Sequence, residues 1–145
     1  MYDTASQAED PKVAFLVPTV ALVEQQLKVF QRYLSPSCRC IGISGKDEMT
    51  MNMSHLVDTN DVLVMTPQIL LNALRGDDLK SLQVFDLLVF DECHRMTGNH
   101  PYNNLMGAYY VDVLLRQTPE SFRLPQVSVC SLWVKWQVES GRIVD

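Results

Sequence analysis

Asp91 and Glu92 stand side by side after the most apolar run of the chain, Val84 to Phe90, which only Asp86 interrupts. In an open parallel sheet, ligands bind beyond the carboxyl ends of the strands. A carboxylate there can hold Mg2+ through water while the cation bridges nucleotide phosphates. A second carboxylate beside it can orient or deprotonate an attacking water. Taken alone, the dipeptide fits a solvated strand end equally well.

The elements that must position this pair can be read from periodicity. Val13 to Val17 is a continuous apolar run, the pattern of a strand covered on both faces. After Pro18 and Thr19, the residues Val20, Val23, Leu27, Phe30 and Leu34 form one helical stripe. Thr19 is placed to cap that helix, and Ser35-Pro36-Ser37 ends it. Cys40 to Ile43 reads as a weaker strand, followed by a turn at Ser44-Gly45-Lys46. Met49 to Thr59 reads as a short helix with Met53, Leu56 and Val57 inward. Val62 to Met65 is the next strand, and Thr66-Pro67 opens a helix, with Thr66 as its N-cap and Pro67 at its first position, that ends at Gly76 with Leu70, Leu71 and Leu74 on its apolar face. Val84 to Phe90 is expected to be one strand, and Tyr102 to Leu115 a helix behind Pro101. Strand and helix in this rhythm predict an α/β domain with a mostly parallel sheet and right-handed crossovers. From Leu132 to Glu139 the pattern alternates instead, as in a strand covered on one face.

Composition bounds the classes. The chain has 145 residues, 47% apolar and 20% charged, which fits one folded domain and not a disordered tail. No run approaches 18 apolar residues, so no transmembrane helix is expected. The first residues, MYDTASQAEDPK, have neither a basic region nor an apolar one, so no signal peptide is expected and the cytoplasm is the expected location. A net charge of −5 is a poor global footprint for nucleic acid, although a local patch can still serve. Cys38, Cys40, Cys93 and Cys130 form no C-x-x-C pair, so no zinc site is expected. His55 and His100 read as surface or turn residues, with His100 placed to help cap the helix at Pro101. Trp133 and Trp136 read as packing.

Cys93 and His94 extend the carboxylate pair to VFDECH, which resembles the DECH box, motif II of superfamily 2 helicases. Phe15 to Gln26, FLVPTVALVEQQ, resembles motif Ia, and Val62 to Leu74, VLVMTPQILLNAL, resembles motif Ib. Gly42 to Gly45 matches the segment between them. Asp91 to Met106, DECHRMTGNHPYNNLM, is most similar to the retinoic acid-inducible gene I-like receptors, cytosolic sensors of double-stranded RNA in antiviral innate immunity. The Dicer helicase domain is the near alternative.

The resemblance covers Lys12 to Val127 and implies a RecA-like first helicase lobe that works with ATP, Mg2+ and a second RecA-like lobe. It implies Asp91 as the Mg2+-ATP carboxylate, Glu92 as the water-activating residue and His94 as the link from the nucleotide site to the facing lobe. It places Pro18, Thr19, Ser44, Gly45, Thr66, Pro67 and Gln68 against the RNA backbone. Two family features have no counterpart: the phosphate-binding loop G-x-x-x-x-G-K-[ST] upstream of Lys12, with its adenine-contacting Q motif, and the Ser-Ala-Thr motif expected after Leu124-Pro125-Gln126-Val127. The expected organisation is therefore a lead-in at 1–11, a partial helicase ATP-binding domain at 12–127 lacking the phosphate-loop strand, and a divergent tail at 128–145. Three readings compete: a piece of an RNA-stimulated ATPase, a non-catalytic module that binds RNA weakly or interferes with a full-length relative, and a small metal-dependent hydrolase built on Asp91, Glu92 and His94.

Overall fold

A computed structural model describes residues 10–45, 52–92, 100–115 and 125–130. Five strands form one sheet: β1 (Val13–Leu16), β2 (Cys40–Gly42), β3 (Val62–Met65), β4 (Leu87–Asp91) and β5 (Gln126–Cys130). Their spatial order is β2-β3-β1-β4-β5, and every neighbouring pair is parallel. The helices are α1 (Val20–Leu34), α2 (Met53–Thr59), α3 (Pro67–Arg75) and α4 (Pro101–Leu115). This is the RecA-like α/β arrangement that the sequence predicts.

Topology decides which face each helix covers. The chain leaves β1 for β2 in one direction, and every later crossover runs in the other. Right-handed crossovers then put α1 on one face and α2, α3 and α4 on the opposite face. The packing agrees. Val23 of α1 joins Val17, Val62 and Val64 in one core cluster, flanked by Phe15 and Phe30. Met53, Leu56 and Val57 of α2, Ile69 and Leu70 of α3, and Tyr102 and Leu105 of α4 join Ala14, Leu16, Leu63, Met65, Leu88 and Phe90 in the other. All four residues of β3 are buried, which explains its unbroken apolar run. Each such side chain taken out of water contributes about 1.5–3 kcal/mol before the entropy of ordering is counted.

Three expectations need correction. Val84 to Phe90 is not one strand. Leu82–Val84 form a 3-10 turn capped by the Ser81 hydroxyl, which accepts from the Gln83 amide at 3.0 Å, and β4 begins only at Leu87. Asp86 stands at the mouth of the β1–β4 pair, where its carboxylate accepts the Lys12 amide at 2.7 Å and its backbone amide donates to Lys12 O at 2.8 Å. The second helix starts at Met53, since Asn52 caps it by accepting from the His55 amide, whereas 49–51 lie outside the described residues. Thr19 and Thr66 occupy the N-cap positions of α1 and α3, yet neither side chain makes a cap hydrogen bond. The backbone alone starts those helices. His100 does cap α4, its Nδ1 accepting from the Tyr102 amide at 3.4 Å. The alternating segment from Leu132 to Glu139, with Trp133 and Trp136, lies outside the described residues, and β5 carries the sheet past residue 127.

Candidate functional site

Because all five strands are parallel, every segment that follows a strand emerges at the same end of the sheet. Ser44 and Gly45 follow β2, Thr66, Pro67 and Gln68 follow β3, Pro18 and Thr19 follow β1, and Glu92 follows β4. Read along the sheet, three polar turns stand in a row and the carboxylate pair stands next to them. The reversal in connection direction falls between β1 and β4, the crevice where open α/β sheets bind ligands. Pro18-Thr19 and Asp91-Glu92 are its two lips.

The polar turns are held from behind. The Val17 amide donates to Met65 O at 3.0 Å and the Ile43 amide to Val64 O at 2.8 Å, so the strand ladder extends to the last residues before each turn. Thr19 is exposed and Thr66 half-buried. With no capping role for their hydroxyls, the simple explanation of these two threonines as helix caps fails. Gln68 is exposed and donates to Asn72 Oδ1 at 2.7 Å, one turn further along α3. Pro67 is buried and anchors the start of that helix.

Asp91 is the last residue of β4 and is partly buried. Burial, then the charge of Glu92, pushes its carboxyl above the usual carboxylate range, while a hydrogen bond from the Glu92 backbone opposes the rise. Glu92 is exposed and turns the chain with φ 54°, in the left-handed region that favours glycine. Two adjacent carboxylates, one destabilised by the other's charge, are hard oxygen donors that suit Mg2+. A divalent cation would offset both the repulsion and the burial. His94 lies outside the described residues, and no cluster of three or more His, Cys, Asp or Glu that could hold a metal occurs among the described ones. The Cys40 thiol is pushed up by burial and by Cys38, which favours packing over thiolate chemistry.

One residue at this site was not singled out by sequence reasoning. Tyr102 is fully buried, and its hydroxyl lies 2.8 Å from Asp91 O and 3.3 Å from Leu16 O, the last carbonyls of β4 and β1. The available signal was a tyrosine one residue after the proline that starts a helix, since a buried phenol must find a partner.

The fold defines a lobe of the RecA-like α/β type. The comparisons agree: residues 1–120 match the DEAD/DEAH box helicase family model, and the chain belongs to that family. It is 38% identical over 104 residues to "Antiviral innate immune response receptor RIG-I" of Homo sapiens, covering 71% of this chain and 11% of the receptor. It is 43% identical over 108 residues to "Endoribonuclease Dicer homolog 3b" of Oryza sativa subsp. japonica, covering 73% of this chain and 6% of that protein. Against "Endoribonuclease Dicer homolog 3" of Arabidopsis thaliana the identity is 42% over 108 residues, covering 73% and 7%. The chain thus spans about a tenth or less of these curated relatives. No helix among the described residues is long and apolar enough to cross a membrane.

Proposed function

We propose that the chain is the ATP- and RNA-facing part of a first helicase lobe of the cytosolic double-stranded-RNA sensor type, working in antiviral innate immunity. The observation that carries this is the row of segments at one sheet end: three polar turns side by side, then Asp91 and Glu92 across the crevice from Pro18-Thr19. RNA phosphates would meet hydroxyls and amides at Thr19, Ser44, Gly45, Thr66 and Gln68, which bind anions without net positive charge. Asp91 would hold Mg2+ through water, and Glu92 would orient the attacking water. His94 would pass the state of the nucleotide site to the facing lobe. Mg2+, when bound, neutralises charge developing on the transferred phosphoryl group.

Phosphoryl transfer also depends on a phosphate-loop lysine, and the sequence carries no G-x-x-x-x-G-K-[ST] pattern. The 145-residue chain is therefore expected to bind RNA without measurable ATP turnover. RNA binding should be weak, fall steeply with salt and show little sequence preference. The test is an ATPase assay with and without double-stranded RNA, beside RNA titrations at two salt concentrations. RNA-stimulated turnover that Glu92→Gln abolishes would show that this chain catalyses unaided. Tight, sequence-selective binding that survives high salt would contradict backbone-directed contact. Identity of 42–43% to Dicer homologues supports a second lineage, a Dicer-type helicase, for which the same site assignment holds.

A further inference from the structure

We propose that Tyr102 is the positioning residue of the carboxylate turn: its hydroxyl fixes the Asp91–Glu92 peptide and ties it to the end of β1, from which Pro18 and Thr19 follow. The proposal rests on the reading of Asp91 and Glu92 as the cation-facing pair.

A phenol carries one proton. Here it lies between two carbonyl oxygens, Asp91 O at 2.8 Å and Leu16 O at 3.3 Å, so the hydroxyl bridges the two strands that flank the crevice. The ring is held on several sides. Pro101 starts α4 immediately before it, His100 stacks on it at 5.1 Å between centroids, and Phe90 meets it edge-on at 5.4 Å. The His100 ring also accepts the Tyr102 amide. The hydroxyl thus has little freedom to move away from its acceptors.

Asp91 O belongs to the same rigid peptide plane as the Glu92 amide. Holding that oxygen sets the direction in which the chain leaves β4. Glu92 then adopts φ 54°, a conformation that a residue with a Cβ keeps only when its surroundings impose it. Tyr102 supplies that constraint from the helix that follows. The same hydroxyl reaches Leu16, two residues before Pro18, so the cation-facing lip and the RNA-facing lip share one anchor.

Tyr102→Phe removes only the hydroxyl. Tyr109→Phe is the matched control, because Tyr109 is on the same helix and its hydroxyl donates to Pro125 O at 3.3 Å, away from the carboxylates. Labelling aspartate carbonyls with 13C and glutamate amides with 15N marks two peptides, Asp47-Glu48 and Asp91-Glu92, and Asp91→Asn identifies the second. Magic-angle-spinning NMR reads the pair whether or not the chain associates. Mn2+ affinity of the full chain, by paramagnetic resonance, reports the carboxylates. Tyr102→Phe should move the Asp91 carbonyl resonance and weaken Mn2+ binding about tenfold, as loss of an outer-shell partner does. Tyr109→Phe should do neither.

An Asp91 carbonyl unmoved by Tyr102→Phe would overturn the proposal. A wild-type chain that binds no Mn2+ would sink the cation reading, and the carbonyl resonance would then judge Tyr102 alone. If Tyr102→Phe does not fold, the wild-type hydroxyl proton decides. Exchange as fast as at the exposed Tyr33 overturns the proposal, and protected exchange sustains it.

Discussion

A carboxylate that is 6% exposed needs partners for its charge, and Asp61 has several. It accepts from Arg39 Nη2 at 2.8 Å, Arg39 Nε at 3.2 Å and the Arg39 amide at 2.8 Å, with Lys12 Nζ at 3.7 Å. Lys12 also reaches Asn60 O at 3.0 Å, so the group pins the start of β1 to the turn before β3. The Arg39 side-chain hydrogen bond, more than enough to outweigh burial, lowers the Asp61 carboxyl from 3.8 to about 2. Its stabilisation is complete above the unfolded value and disappears as pH falls from about 4 through about 2. The guanidinium is half-exposed, so solvent screens part of the attraction. Asp61→Asn should cost on the order of 1–2 kcal/mol near pH 7. It should also flatten the fall in stability between about pH 4 and 2 in chemical denaturation. A mutant with the parent's acid profile would show that Asp61 does not carry that dependence. Such a residue is hard to find in sequence, because only the fold brings Lys12, Arg39 and Asp61 together. Asp91 and Glu92 could be found because they follow an apolar run directly.

At the scale of elements, legibility followed how completely each one is buried. β1 and β3 were readable because neighbours on both sides and helices on both faces demand unbroken apolar runs. Val84 looked like part of β4 because apolar residues also line a 3-10 turn, and hydrophobicity alone does not distinguish the two. The middle of the stripe on α1 was readable for the opposite reason: only one side of that helix meets the sheet, where Val23 and Phe30 pack, while Val29 and Tyr33 are exposed. The ends of the expected stripe, Val20 and Leu34, are exposed as well, because they lie beyond that contact. Close approach of α1 to β2 depends on Gly42. A Cβ there would stand 3.0 Å from Leu27 Cδ2 and 3.1 Å from Val23 Cγ1. Gly42→Ala should therefore push the two elements apart and cost about 1 kcal/mol or more. Thermal unfolding measures it, and an unchanged midpoint would mean that α1 yields without loss.

For the whole molecule, the decisive feature is the outer position of β5. It pairs with β4 through five register positions, and among the described residues no strand flanks its other side. Its exposed residues Gln126 and Ser128 alternate with the half-buried Val127. A strand edge of this kind offers unpaired amides and carbonyls to another chain. The 145-residue chain is expected to be marginally stable and to self-associate. Ser128→Lys, a charge on the edge strand, should shift light scattering toward the monomer. A monomeric parent chain that melts cooperatively well above about 45–65 °C would show that the sheet is satisfied without a further partner.

The strand order also sets a timetable. Among the described strands β1 is made first, yet its neighbours are β3 and β4, and Leu87 lies 74 residues beyond its partner Val13. At synthesis rates of about 5–20 residues per second, β1 waits on the order of 4–15 s before its second neighbour leaves the ribosome. Through that interval Ala14, Leu16 and Val17, all at 0% exposure in the finished fold, have no completed core to enter. Contacts this distant in sequence also slow refolding from denaturant, because loop closure precedes any gain from pairing. The crevice between β1 and β4 is therefore the last part of the site to exist, and its two lips come into being together.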